Sequence, residues 1–159
     1  MQHHTIRFLV LDVDGVMTDG GMYYTESGDQ FKKFNSRDGM GIKLALRKGV
    51  QVAFLSSGTN ARIINDRAET LGVKLVHAGA GEKLGILSGW CKELGIHLDE
   101  VAYIGDDVND LDCIRAVGIS ACPADAVDAV MSAVDVVLDK RGGEGCVREF
   151  VDSNILVIG

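Results

Sequence analysis

Short apolar runs and helical patterns take turns along this chain, and that alternation narrows its possible folds more than any other feature of the sequence. Runs at residues 7–11, 50–55, 73–76, 101–104, 118–121 and 134–138 have strand length and are rich in branched side chains. Amphipathic patterns cover residues 39–48, 61–71, 82–94, 110–117, 126–133 and 145–152. Strands this apolar offer no face to water, so both sides of their sheet must be covered, and helices between parallel strands do that. The expected fold is α/β: a doubly wound parallel sheet, Rossmann-like, with right-handed crossovers. Ligands then belong beyond the carboxyl ends of the strands, where the strand order reverses.

Residues 19–38 break the alternation. Glu26-Ser27-Gly28-Asp29 is a turn signal between segments carrying Tyr23, Tyr24, Phe31 and Phe34. This predicts a β-hairpin, inserted at about residues 20–36 over the carboxyl end of the first strand. The single proline, Pro123, marks a loop after the fifth strand. No repeat, linker or low-complexity segment divides the chain, so residues 1–159 are expected to form one domain without a large cap.

Sixteen basic against twenty-three acidic residues give a net charge of −7. That balance disfavours nucleic acid and anionic membranes as partners. It leaves room for an anionic small molecule, because a bound metal reverses the local sign. No apolar run is long enough to span a bilayer. The apolar stretch near the N-terminus is short and broken by Asp12 and Asp14, unlike a secretory signal. Cys91, Cys113, Cys122 and Cys146 are scattered without a CxxC pair, as expected of reduced thiols in a cytoplasmic protein.

The chemistry concentrates at strand ends. Leu11-Asp12-Val13-Asp14-Gly15 closes the first strand with two carboxylates that can approach one cation. Such a pair repels itself unless solvated or neutralised, and Mg²⁺ with its preference for hard oxygen ligands is the expected cofactor. The fourth strand ends in Gly105-Asp106-Asp107-Val108-Asn109-Asp110, where Asn109 or Asp110 could cap the next helix but cannot account for Asp106 and Asp107 together. Ser56-Ser57-Gly58 ends the second strand with hydroxyls, which alone would read as a helix cap. Lys83 opens a helix after Gly79-Ala80-Gly81, an unfavourable place for a cation and otherwise an ordinary surface lysine.

Acids, a hydroxyl, a lysine and more acids, in that order, resemble the haloacid dehalogenase-like superfamily of phosphotransferases. Asp110 falls one position early for the superfamily spacing. From about Ile6 to Phe150 the likeness is closer. The segments Asp12-Val13-Asp14-Gly15-Val16-Met17-Thr18-Asp19-Gly20-Gly21, Phe31-Lys32-Lys33-Phe34-Asn35-Ser36-Arg37-Asp38-Gly39-Met40-Gly41-Ile42 and Gly142-Gly143-Glu144-Gly145-Cys146-Val147-Arg148-Glu149-Phe150 resemble the 3-deoxy-D-manno-octulosonate 8-phosphate phosphatase family. The resemblance implies a Mg²⁺-dependent phosphatase working through an aspartyl phosphate, with a role in lipopolysaccharide biosynthesis. It implies Asp12 as nucleophile and Asp14 as general acid/base. Asp12, Asp106 and the backbone carbonyl of Asp14 would hold Mg²⁺, Asp107 would reach it through a water, and Lys83 would pair with the phosphoryl group and Asp12. It also implies a homotetramer in which inserted hairpins meet, a neighbouring subunit covers each site, and the segment from Gly142 to Phe150 closes over it.

Hydroxyl-then-glycine selects Ser57-Gly58 as the phosphate-binding pair, and the downstream spacing to Asp66-Arg67 supports it. Residues 52–58 are one longer than in relatives, which keeps Ser56 open. Thr18, Gly58, Arg67 and Arg148 are the expected substrate-binding residues, and Arg141 is a further candidate for a sugar-acid carboxylate. Thr59 and Asn60 replace an arginine and another polar residue of many octulosonate-type relatives. The expected substrate is 3-deoxy-D-manno-octulosonate 8-phosphate. The alternative is a nonulosonate 9-phosphate of the sialic-acid type, favoured by Gly20-Gly21-Met22-Tyr23-Tyr24 and Lys140-Arg141-Gly142-Gly143-Glu144-Gly145. A receiver domain is disfavoured because residues 73–78 contain no aspartate. A non-catalytic assembly domain, as in acylneuraminate cytidylyltransferase fusions, is disfavoured because Asp12 and Asp14 are both present.

Overall fold

Phe8, Leu9, Val10 and Leu11 are all fully buried, so the first strand, β1 (Phe8–Leu11), has no outward face. The computed structural model describes residues 5–157. β1 lies between β4 (Gln51–Ser56) and β6 (Val101–Ile104), parallel to both. β5 (Leu75–Ala78) flanks β4, while β7 (Ile119–Cys122) and β8 (Val136–Val137) extend the other side, giving the order β5-β4-β1-β6-β7-β8. All these pairings are parallel, as the apolar runs require.

Helices cover both faces. Leu9, Leu11, Phe54 and Ile104 point to one core, closed by α1 (Ser36–Arg47), α2 (Ala61–Leu71) and α6 (Cys146–Asn154). Phe8, Val10, Leu55 and Tyr103 point to the other, closed by α3 (Lys83–Leu94), α4 (Leu111–Ala116) and α5 (Asp128–Met131). The chain leaves β1 toward β4 on one side and later returns to β6 on the other, so the order reverses at β1. Leu11 is level with Phe54 and Ile104, and the residues after these three strand ends therefore converge at the switch point.

Several boundaries differ from the sequence expectation for local reasons. α1 begins three residues early because the Asn35 side chain accepts from the N–H groups of Arg37 and Asp38. Gly39 and Gly41 weaken this helix intrinsically, but a Cβ on Gly39 would meet Arg67 and one on Gly41 would meet Arg148. β5 begins at Leu75 because Val73 still donates to Ala68 at the end of α2. The expected hairpin is present as β2 (Tyr23–Tyr24) and β3 (Gln30–Phe31), antiparallel and separate from the main sheet. Its turn is closed by the Thr25 N–H on Asp29 O, and Tyr23 stacks on Phe31 at 4.7 Å between ring centroids. Among the described residues, no helix is long and apolar enough to cross a membrane, and all four cysteines are free and buried.

Candidate active site

The loop after β1 is shaped by contacts that leave no room for side chains. The Asp12 N–H donates to Ile104 O at 3.0 Å, and the N–H groups of Val16, Met17 and Thr18 all turn back onto Val13 O. Thr18 Oγ1 accepts from Gly15 N and Gly20 N at 3.2 and 3.1 Å, so this buried hydroxyl fastens the loop to itself. Gly15 has φ 87°, and a Cβ there would lie 1.9 Å from Asp106 Oδ2. On the opposite side, a Cβ on Gly142 would lie 1.9 Å from Gly15 O, and the Gly143 N–H donates to Val16 O at 3.0 Å. In this chain the Gly142–Gly145 turn therefore braces the β1 loop.

Asp12, Asp106 and Asp110 each place a carboxylate oxygen within 4.8 Å of the others. Asp110 is fully buried and saturated. Its Oδ1 accepts from Lys83 Nζ at 2.8 Å and from the Tyr103 hydroxyl, and its Oδ2 accepts from the N–H groups of Asp106 and Asp107. Lys83, also buried, lies 3.2 Å from Asp12 Oδ1, which accepts from Val13 N–H as well. Burial, then the charge of Asp110, pushes the Asp12 carboxyl well above its ordinary range. Burial, with the charges of Asp110 and Asp107, raises Asp106 to about 6, against an opposing hydrogen bond with Asp12. Burial works against the Lys83 charge, but Asp12 and Asp110 outweigh it and hold the ammonium above its ordinary range.

One ammonium among these three acids cannot balance their full ionisation, and burial and this imbalance together disfavour the charged forms of Asp12 and Asp106. Asp106 Oδ1 is buried without a hydrogen-bond partner. With Asp110 fully engaged, Asp12 and Asp106 are the residues with oxygen left to offer a cation. A hard, all-oxygen donor set with this charge fits Mg²⁺.

These groups floor a cavity of about 230 Å³ lined by Asp12, Asp14, Gly20, Ser56, Ser57, Gly58, Asp106, Asp107 and Asn109. Ser56 is buried at the end of β4, and its Oγ accepts from Gly58 N–H at 3.0 Å. Ser57 is exposed on the rim, where its Oγ accepts from Asn109 Nδ2 at 3.2 Å. A Cβ on Gly58 would lie 3.1 Å from Asp14 Oδ2 and 3.2 Å from Ser56 Oγ, so these two groups face the same small volume.

The arginines lie elsewhere in this chain. Arg67 sits over the Phe34 ring at 5.3 Å, donates from Nη2 to Asn35 O and packs against Gly39. Arg148 donates from Nε to both Asp152 oxygens, packs on Gly41, and offers its backbone N–H to Asp38. Arg141 lies 3.7 Å from Asp125. None of the three lines the cavity; Arg67 and Arg148 clamp α1, and their places are explained by the glycines that admit them.

Two residues at the site have roles that the sequence does not reveal. Asp110 reads as a cap until Lys83 and Tyr103 are seen to converge on it. Lys32, just past β3, places Nζ 2.6 Å from Asp14 Oδ1 with its side chain only 7% exposed. The sequence holds no signal that separates it from Lys33; in the folded hairpin Gln30, Lys32 and Phe34 turn inward while Phe31 and Lys33 turn out.

Comparison with known proteins follows the same lines. A haloacid dehalogenase-like hydrolase family model matches residues 59–150. The 3-deoxy-D-manno-octulosonate 8-phosphate phosphatase KdsC of Salmonella typhi is 40% identical over 97% of this chain and 81% of its own length. The cobalt-bound phosphatase of Haemophilus influenzae superposes with a TM-score of 0.92 at 40% identity, over 98% of this chain and 91% of that one. The Moraxella catarrhalis phosphatase, solved with magnesium, phosphate and KDO, gives 0.92 at 32% identity, over 97% of this chain and 88% of that one. With the parallel sheet, the switch-point cavity and this likeness all in agreement, the chain belongs to the 3-deoxy-D-manno-octulosonate 8-phosphate phosphatase family of haloacid dehalogenase-like hydrolases, and it is a phosphatase.

Proposed function

We propose that this phosphatase hydrolyses 3-deoxy-D-manno-octulosonate 8-phosphate with Mg²⁺ as cofactor, through a phosphoryl group carried on Asp12. The observation that carries the mechanism is the cavity in which Asp12, Asp14 and a strand-end hydroxyl face one another above Lys83. The substrate reading rests on the relatives named above. Asp12 attacks phosphorus, forming an Asp12–phosphorus bond as the bond to the sugar oxygen breaks. Asp14 gives its proton to that departing oxygen. It then takes a proton from a water that attacks the same phosphorus, releasing inorganic phosphate and restoring Asp12. Lys83 holds Asp12 and offsets charge on the phosphoryl oxygens. Asp12, Asp106 and the Asp14 carbonyl are the proposed Mg²⁺ ligands, with Asp107 at one remove. When bound, the ion neutralises the excess acid charge and the charge on the transferring group.

For the hydroxyl, the structure favours Ser56 over Ser57. β4 runs without a bulge to Ser56, which supports placing the extra residue of this segment in the loop beyond it, and Ser56 is the hydroxyl that shares the Gly58 volume with Asp14. Gly58 supports that loop, and Thr18 acts through the β1 loop that it fastens.

Residues 5–157 are proposed to work as one catalytic unit, in the cytoplasm, where four buried free thiols stay reduced. Exposed Met22, Tyr24 and Phe31 on a two-stranded ribbon support assembly through the hairpin into a homotetramer. Light scattering should then give four chain masses; an active monomer would exclude this assembly.

The function is tested by phosphate release, comparing kcat/KM for the octulosonate 8-phosphate, nonulosonate 9-phosphates and simple sugar phosphates. The octulosonate should lead, chelation should stop turnover and Mg²⁺ should restore it. A nonulosonate ahead by about tenfold or more, equivalent to ~1.4 kcal/mol of transition-state binding, would reverse the assignment toward the sialic-acid-type substrate. The segments Gly20-Gly21-Met22-Tyr23-Tyr24 and Lys140-Arg141-Gly142-Gly143-Glu144-Gly145 are the observation in that alternative's favour, and Thr59 and Asn60 mark a departure from the octulosonate-type pattern beside the cavity.

A further inference from the structure

We propose that Lys32 is a positioning residue for proton transfer, reaching from the inserted hairpin to hold the Asp14 carboxylate in its working orientation. This rests on the reading of Asp14 as the group that protonates the departing oxygen.

The hairpin presents two different faces. Phe31 turns outward and stacks on Tyr23, while the residues on either side of it turn toward the domain. Gln30 Oε1 accepts from Asn60 Nδ2 at 3.4 Å, touching the loop after β4, and Lys32 reaches the loop after β1. An ammonium with a side chain 7% exposed gives up most of its hydration, and among the described residues its carboxylate partner is Asp14 alone. A contact of that kind serves poorly as general surface stabilisation. It does fix geometry.

The two oxygens of Asp14 are thereby told apart. Oδ1 takes Lys32 at 2.6 Å. Oδ2 faces the Gly58 position beside Ser56 Oγ, on the cavity side. A carboxyl that turns freely about its final bond would present either oxygen, or neither, to a leaving group. Pinning Oδ1 leaves Oδ2 directed at the place where the phosphate ester must lie if Asp12 is to reach it. Proton transfer demands hydrogen-bond reach, and displacement by about 1 Å costs on the order of 10²-fold in rate. The nucleophile side needs no such help, because Asp12 is already held by Val13 and Lys83.

The test uses leaving groups of different need. A sugar or other alkyl phosphate requires a proton on its departing oxygen; 4-nitrophenyl phosphate does not. Lys32→Met should lower kcat/KM for alkyl phosphates by about 10²-fold, at the low end of the range for lost general acid catalysis. It should change 4-nitrophenyl phosphate by no more than about threefold, since the nucleophile is untouched. In an Asp14→Asn background the same substitution should add nothing, because the two residues act as a unit. Lys32→Arg, which keeps the charge, should restore most of the loss and guards against a folding defect in the Met variant. Equal losses on both substrate types, or full additivity with Asp14→Asn, would overturn the proposal. If Asp14→Asn itself fails to discriminate between leaving groups, the reading of Asp14 falls and takes the proposal with it. If Asp14→Asn discriminates and Lys32→Met does not, the role of Lys32 alone is refuted.

Discussion

Asp12→Asn should abolish phosphate release without weakening the fold. Loss of a nucleophile that acts in concert with its neighbours costs on the order of 10⁴–10⁶-fold in kcat. The stability side has a definite sign. Asp12 is buried beside Asp110, and its carboxyl is pushed up, so the folded, metal-free protein resists the charged form. A raised native carboxyl means the native state binds more protons than the unfolded state above the ordinary aspartate range. Its contribution therefore grows less favourable as pH rises from about 4 toward neutrality. Asparagine removes that penalty, and the metal-free variant should melt no lower than the wild type at pH 7.5. Mg²⁺ should raise the melting temperature of the wild type more than that of the variant, because a ligand that binds only the native state stabilises it by mass action. A variant retaining a sizeable fraction of kcat would end the nucleophile assignment. One that unfolds would show that the charge of Asp12 holds the loop together.

Ser56→Ala should lower kcat by about 10²–10³-fold, the cost of one lost hydrogen-bond donor to developing negative charge. Ser57→Ala should cost far less, since that hydroxyl is exposed and engaged by Asn109 at the rim. The two changes remove the same atoms one residue apart, and comparison of kcat between them decides the register. Ser56 also accepts the Gly58 N–H, so part of any loss could come from the loop. Ser56→Thr keeps both the donor and the acceptor and should retain activity, separating chemistry from loop support. If Ser57→Ala carries the damage instead, the extra residue lies before the strand end and the Ser56 assignment fails.

The sheet was legible because burial on both faces forces β1 and β6 to be apolar apart from the Tyr103 hydroxyl, a signal that needs no partner to be seen. The acid clusters were legible because they directly follow those runs. Residue-level roles were harder wherever long-range packing decides them. Arg67 and Arg148 look available for an anion until Gly39 and Gly41 are seen to make room for them on α1. Asp110 looks like a helix cap until Lys83, 27 positions away, meets it beneath the floor of the site. Lys32 and Lys33 are neighbours of identical chemistry, and only the alternation of the hairpin selects the one that reaches Asp14. The serine register failed to resolve for a related reason, because spacing counted from downstream cannot say on which side of a strand end an inserted residue lies.

The stack formed by Asp106, Gly15 and Gly142 has a consequence for how such an enzyme can change. Gly15 is pressed between a carboxylate on one side and the backbone of Gly142 on the other, and a side chain at either glycine would strike its neighbour at 1.9 Å. Neither position can drift without moving Asp12, which follows β1. Heritable variation that alters substrate choice is therefore expected where the chain tolerates new side chains, at Ser57, Thr59 and Asn60 in the loop after β4 and at hairpin positions other than Gln30 and Lys32. One part of the molecule is closed to innovation and the other open to it. A mutational library built on the open part should broaden the range of sugar phosphates accepted while the rate of phosphoryl transfer is kept.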